Sequence, residues 1–544
     1  MTNGAFRTSS GGRIDRGRPV TFTFNGRRHT GYEGDTLASA LLANGVHLVG
    51  RSFKYHRPRG ILSAGSEEPN ALIQLERGGR TEPNLRATQI EIYEGLVAGS
   101  QNAWPSVETD VGAINNVLSK VFVAGFYYKT FMHPQSFWMK VYEPVIRRAA
   151  GLGKAPAEPD PDFYDKMHVH ADVLVAGAGP SGLMAALAAA RTGARVILAD
   201  EQNEFGGSLL GTHETIDGRP AADWVRDAVA ELKGFPEVRL LPRTTVTGYY
   251  DHNYLILAER RTDHLPRGSA PGISRQRLWK VRAKQVVLAT GAHERPLVFA
   301  DNDRPGVMLA GAARTYVNRF GTLPGRSAVV LTNNDSAYAA ALDMHDAGIG
   351  IAAIVDLRTQ AGGPLAAEAK RRGMRILANT AITATHGSKR VTGVDVMTMN
   401  GPGEGVIGAP TRIECDLVAM SGGWNPAVHL FSQSTGKLRY DDALACFVPG
   451  VSVQAERSAG SCKGTFDLPG CLAEGAAAGA GAAQAAGHGD GAVPTVPEAA
   501  SVPHQPIRPL WIVPTTAPVG HSKAKHFVDF QNDVSAADVL LGID

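Results

Sequence analysis

The 544 residues hold 55 Lys and Arg against 52 Asp and Glu, a formal charge of +3 that is too small for a nucleic-acid footprint. Four cysteines exclude a disulfide scaffold and point to a reducing, cytoplasmic setting. The first nineteen residues lack the apolar core of a signal peptide, and no run of about 18 apolar residues suggests a membrane span.

The length predicts several domains. Residues 1–100 read as a β-rich unit. Val20–Phe24 alternates, Asn25-Gly26 supplies a primed turn, and Arg27–Tyr32 returns. Asp35 is the expected N-cap of a helix over Thr36–Ala43, with Gly45 as its stop. Hairpin, helix and loop together predict a β-grasp of the ubiquitin-like or ferredoxin-like kind. Residues 101–165 form a connector crowded with Phe122, Phe126, Tyr127, Tyr128, Phe131, Phe137, Trp138 and Tyr142. They are expected to bury against neighbouring domains, with a subunit interface as the alternative.

From about 170 to 490 the pattern is strand, glycine turn, small-residue helix and strand, which is the grammar of a parallel sheet. We expect a Rossmann-like domain over 166–298 and 411–487, a nested second nucleotide-type domain over 299–410, and a linker with the start of a further domain over 488–544. The fold class is therefore α/β, a Rossmann-like core behind a β-grasp unit.

The strongest motif is Gly177-Ala178-Gly179-Pro180-Ser181-Gly182, because it follows an apolar strand from Asp172 and opens an Ala-rich helix. Gly177 permits the tight turn, Gly179 lets backbone approach a pyrophosphate, and Gly182 lets helix and strand pack closely. The helix N-terminus adds N–H donors for the phosphates. Asp200 and Glu201 end the second strand, where Asp200 would meet ribose hydroxyls. No basic residue stands directly there, so a 2′-phosphate is unwelcome. Gly207 and Ser208 can pass near the pyrophosphate, Val246 can face adenine, and Ala289, Thr290, Gly291 and Arg295 read as a strand returning to the same domain.

This ordered set resembles the two-dinucleotide-binding-domain flavoproteins. That family carries a second glycine motif, but here its place reads Asn333-Asn334-Asp335-Ser336, so bulky side chains are expected to fill the second site. Flavin-binding members place a late Gly-Asp pair on the ribityl chain of FAD. The matching Ala459-Gly460-Ser461 lacks the acid, which favours NAD. Gly475–Gly481 resembles a small-residue helix beside the cofactor, with a flexible linker as the alternative. No C-x-x-C exists, so a reductase dithiol is not expected. His168 and His170 sit before the first strand, like an exposed linker, and no metal site is expected.

The stretch Arg51–Ile73 resembles the ferredoxin-like domain of amine and opine oxidase subunits. Plant-type cluster spacing falls on Ser63, Glu68 and Ala71, and no cysteine precedes Cys415, so the expectation is a domain without its iron–sulfur cluster. The basic loop is expected to be a solvated face, or else a contact for another subunit or a flavin phosphate. With Phe126–Met132, Tyr142–Gly153, Ser421–Pro426 and Phe527–Ser535, the whole chain resembles the α subunits of heterotetrameric sarcosine oxidases. The resemblance implies NAD on this chain, FAD and FMN in the assembled complex, and β, γ and δ partner subunits. It also implies sarcosine demethylated to glycine with hydrogen peroxide formed and the one-carbon unit passing to tetrahydrofolate; the family's C-terminal folate domain is expected to be missing from this chain, which ends at Asp544. No catalytic residue is assigned to this chain. The competing readings are a self-sufficient NADH-dependent flavin reductase and a non-catalytic NAD-binding scaffold.

Overall fold

The computed structural model describes residues 4–119, 131, 133–401, 403–519, 522 and 524–543. Phe122, Phe126, Tyr127 and Tyr128 lie outside the described residues. The chain divides into two units, one of 1–161, 296–423 and 508–544, the other of 162–295 and 424–507.

In the first unit β1 (Asp15–Phe24) and β2 (Arg27–Glu33) pair antiparallel, closing at Phe24 and Arg27. Asn25 (φ 49°) and Gly26 (φ 76°) carry the left-handed turn that this hairpin requires. Phe22 and Phe24 point into the core with Leu37 and Leu41 of α1 (Leu37–Ala43). The N-cap is Thr36, not Asp35: the Thr36 side chain accepts the Ser39 N–H, whereas the Asp35 carboxylate holds Arg7, Ser39 Oγ and the Tyr32 N–H. A long-range arginine outcompeted the local cap. Strands β3 (Leu72–Leu75), β4 (Glu82–Arg86) and β5 (Leu96–Ser100) complete a five-stranded sheet of order β2-β1-β5-β3-β4, with β5 parallel to β1. The later part of the expected connector does not bury its apolar residues: Phe137, Met139 and Val145 are exposed.

The second unit starts with β6 (Tyr164–Ala176), whose last six residues are buried. His168 and His170 lie inside this strand, not before it. Twelve register pairs to β11 extend β6 well upstream of its apolar half. Helix α2 (Pro180–Ala190) follows and buries Ser181–Ala190, so it is covered on all sides. Then come β7 (Val196–Ala199), β8 (Val238–Leu241), β9 (Thr244–Tyr250), β10 (Tyr254–Arg260) and β11 (Gln276–Leu288). The order is β8-β7-β6-β11-β10-β9. Its parallel half sits under helices and reads as continuous apolar runs.

The first unit resumes with β12 (Val307–Leu309), β13 (Ser327–Thr332), α3 (Ser336–Asp346), β14 (Gly350–Asp356), β15 (Ile376–Ala378) and β16 (Leu417–Ser421). These strands make a parallel sheet of order β12-β16-β13-β14-β15. In the second unit β17 (Glu456–Ser458) then pairs with β11, and the Ala/Gly-rich segment forms α4 (Leu468–Ala485), a helix and not a linker. Asp467 caps it by accepting the Gly470 N–H. Last in the first unit is α5 (Ala536–Ile543), where Ser535 and Asp538 form a reciprocal cap.

Candidate dinucleotide site

The glycine loop after β6 is shaped by steric necessity. Gly177 has φ 96°, and a side chain there would strike the Ala289 carbonyl. A Cβ on Gly182 would strike the Gly177 carbonyl, and one on Gly207 would lie 2.7 Å from the Gly179 Cα. The loop is tied down by Gly177 N–H to Ala199 O at 2.8 Å and by Gly206 N–H to Ala178 O at 2.8 Å. Thus Gly206 and Gly207, far along the chain, close against Ala178 and Gly179. Pro180 starts α2, whose first N–H groups have no partner within the helix. Ser208 is exposed on the turn over Gly207–Gly211.

The two acids differ. Asp200 accepts the Ala178 N–H at 2.7 Å and the Gln202 N–H at 2.9 Å, so it fastens the glycine loop. The half-buried Glu201 carboxylate has no hydrogen bond or ion pair among the described residues. A base does stand close by: Arg260 Nη2 donates to the Glu201 carbonyl at 2.7 Å. It arrives from β10, 59 residues on, where no local reading could place it.

Val246 is half-buried on β9, beside a register shift. Ala289 and Thr290 follow β11, and Thr290 Oγ1 donates to Ala427 O at 2.8 Å. Gly291 (φ 74°) accepts the Ala427 N–H at 2.9 Å, and space is open where its side chain would stand. Arg295 is spent on Asn425 Oδ1 and Ala445 O. Burial pulls its guanidinium below the ordinary range.

Gly460 (φ 73°) lies where a Cβ would meet Ser181 Oγ. No acid adjoins Gly460 in the sequence, yet one arrives from α4: Glu474 accepts the Gly460 N–H at 2.8 Å and the Thr465 hydroxyl at 2.9 Å. Nothing local announced Glu474. Gly475 and Gly479 let α4 contact the backbone of Ser181 and Ala185 in α2. All four cysteines are free and buried, and burial raises the Cys471 thiol to about 11, so none is a ready thiolate.

The corresponding loop of the first unit, after β13, is filled. Asn334 Nδ2 reaches Ser421 Oγ at 3.0 Å while its Oδ1 accepts the Ser336 N–H at 3.0 Å. Asn333 Nδ2 donates to Arg508 O at 2.9 Å. Asp356, at the end of β14, takes a forked contact from Arg358 and the Tyr338 hydroxyl at 2.8 Å, and Arg358 also pairs with Asp335 at 2.7 Å.

The basic loop of the N-terminal part is neither a solvated face nor a free contact at its arginines. Arg57 pairs with Asp301 and Asp303, and Arg59 is buried between Asp303 and Asp533, all within the first unit.

The glycine cradle lies in a segment of FAD-dependent oxidoreductase type: residues 172–264 match the family model for FAD dependent oxidoreductases. Residues 17–103 match the model for a 2Fe-2S iron-sulfur cluster binding domain. Along nearly its whole length the chain is similar to sarcosine oxidase α subunits. It is 48% identical to sarcosine oxidase subunit alpha of Rhizobium meliloti over 99% of its own length and 53% of the relative's. It is 42% identical to that of Corynebacterium sp. (strain P-1), over 98% and 50%. The chain spans about half the length of these curated relatives. A solved structure of L-proline dehydrogenase from P. horikoshii shares the fold, with TM-score 0.58 and 20% identity over 89% of this chain and 76% of that one.

These matches correct the expected cofactor set of NAD here, FAD and FMN in the complex and no iron–sulfur cluster. The 2Fe-2S match overturns its last part. The residues at the expected spacing supply no thiolates. Glu68 is fully buried and accepts the N–H groups of Leu62, Ser63, Asn70 and Ala71 at 2.6–3.0 Å. Burial raises its carboxyl above the usual range, against those four amides. These side chains do not fit a thiolate-held cluster. Among the described residues no helix is long and apolar enough to cross a membrane, and no group of three or more His, Cys, Asp or Glu could hold a metal ion.

Proposed function

We propose that this chain is the α-type subunit of a cytoplasmic, hetero-oligomeric sarcosine oxidase whose loop over Gly177–Gly182 holds one adenine dinucleotide, NAD in the leading reading. The observation that carries it is the loop itself: glycines at three contact points, two of them against backbone carbonyls, leave no room for side chains beside the N-terminus of α2. The site residues are Gly177, Ala178, Gly179, Pro180, Ser181 and Gly182 around the pyrophosphate, with Gly207 and Ser208 beside them. Glu201 accepts from the ribose hydroxyls and Asp200 holds the loop. Val246 lies toward adenine, Ala289, Thr290 and Gly291 approach as backbone, and Arg295 and Gly460 brace the edges. A bound NAD would supply a hydride acceptor, but the site residues read as a structural cradle. The oxidation of sarcosine to glycine, the peroxide, the FAD, the FMN and the transfer to tetrahydrofolate belong to the assembly with β, γ and δ partners.

A second reading, FAD in the same loop, is favoured by the family match of residues 172–264. Denaturing the purified chain and weighing the released nucleotide separates the two. Adding partner subunits and sarcosine then tests for peroxide. A wild-type assembly that makes no peroxide contradicts the oxidase assignment.

A further inference from the structure

In the second unit β6 is paired along one side and open along much of the other. It lies against β11 over its whole length, from Tyr164 beside Gln276 to Ala176 beside Leu288. On its other side β7 reaches only residues 173–176. Among the described residues no other strand and no isolated bridge pairs with 165–170. Such a stretch presents a row of unspent N–H and C=O groups at the edge of the sheet. Lys166, His168 and His170 are exposed there, and Met167 is 41% exposed.

The two faces beside this edge differ. The register sets Lys166, His168 and His170 beside Leu278, Lys280 and Arg282 of β11, so one face is basic. On the other face Val169 packs on a core that holds Trp279 and Val281. Among the described residues the side chains of Lys166, His168, His170 and Lys280 have no hydrogen bond or ion pair. Arg282 stands 5.2 Å from the Tyr254 ring centroid. The two acids of β6 are taken. Asp165 pairs with Arg277 at 3.0 Å and Arg261 at 3.6 Å. Asp172 pairs with Arg195, Lys284 and His488 at 3.0, 2.9 and 3.2 Å.

We propose that the open edge of β6 over 165–170 takes up an extended strand of a partner chain, one that alternates acidic and apolar residues. Added strands draw affinity from main-chain hydrogen bonds and selectivity from alternate side chains. The acids of the partner strand stand across from Lys166, His168 and His170, where opposite charges on neighbouring strands attract. Its apolar residues continue the face of Met167 and Val169. A second copy of this chain does not suit the edge, because it sets lysine and imidazole against lysine and imidazole. The surface lies wholly in the second unit and does not involve the glycine loop.

The test uses the full chain and a fluorescent peptide of about seven residues that alternates Val and Glu. Anisotropy should show one saturable site per chain, weakened by salt. A peptide alternating Val and Lys should not bind. The Val/Glu peptide N-methylated throughout should not bind either, because it keeps the charge and loses the backbone donors. K166E/H168E, two exposed positions, should weaken the acidic peptide about tenfold, the scale of two reversed cross-strand pairs. Independently, amide exchange over 165–170 of the unmodified chain should slow when the peptide binds. No saturable binding, equal binding of the N-methylated peptide, unchanged affinity in K166E/H168E, or no slowing over 165–170 would each overturn the proposal.

Discussion

The turn after β6 and the turn after β13 both follow a strand in the parallel part of a sheet, and their contents are opposite. The first is stripped to glycine, so a side chain at Gly177 or Gly182 would strike a carbonyl. The second is packed with Asn333, Asn334 and Asp335, each buried and hydrogen-bonded or paired inside the chain. One loop leaves donors for a ligand; the other satisfies its donors with its own amides and carboxylates. Sheet and helix are therefore not enough to make a nucleotide site, and the choice is made by the few residues at the turn.

The comparison breaks most visibly at Gly182. G182V drives a branched side chain into the Gly177 carbonyl, and we expect nucleotide retention to fall at least about a hundredfold, the scale of a few kcal/mol of lost contact. Chromatography of the denatured supernatant reads this directly. Next is the packed loop. R358A leaves Asp335 and Asp356 buried without their cation, which costs about 3 kcal/mol in urea unfolding. The nucleotide content of the folded variant should stay at its original value, since the glycine loop is untouched.

A smaller effect concerns Asp172, at the foot of the same strand as the glycine loop. Its carboxyl is held well below the usual range, first by hydrogen bonds from Arg195, with Lys284 at 2.9 Å, against the opposing effect of burial. A depressed folded pKa gives stability that is present above about pH 4 and is lost as pH falls below it. D172N should cost about 1–2 kcal/mol at neutral pH, because its cations are half exposed and screened. It should also flatten the acid limb between about pH 4 and 2 in a pH series of unfolding curves. Smallest is N334G. It removes a hydrogen-bonded amide for about 1 kcal/mol and should still give no second nucleotide, because Asn333 remains tied to Arg508. A second equivalent of nucleotide in N334G would show that the plug alone decided the matter.

What the sequence made legible was local. The loop over Gly177–Gly182 is a strand, a turn and a helix within a few residues, and its glycines have no steric alternative. The hairpin turn at Asn25-Gly26 was readable for the same reason. What escaped was carried by contacts far apart in the chain. Thr36 caps α1 because Arg7 claims Asp35. Glu474 reaches Gly460 from a helix, and Arg260 reaches Glu201 from another strand. Arg57 and Arg59 looked like a basic surface because their aspartates lie more than 200 residues away. The division of labour between Asp200 and Glu201 depends on which carboxylate turns toward the Ala178 amide, a choice two adjacent acids do not reveal. The expectation of a ferredoxin-like domain without its cluster rests on three positions, Ser63, Glu68 and Ala71, whereas the 2Fe-2S match that overturns it spans residues 17–103.

The most direct test of the central claim is the nucleotide itself. The purified chain, denatured and analysed by mass, should release one equivalent of an adenine dinucleotide per chain, and G182V should release almost none. Release of no nucleotide from the wild-type chain, or full retention by G182V, would contradict the assignment of this loop.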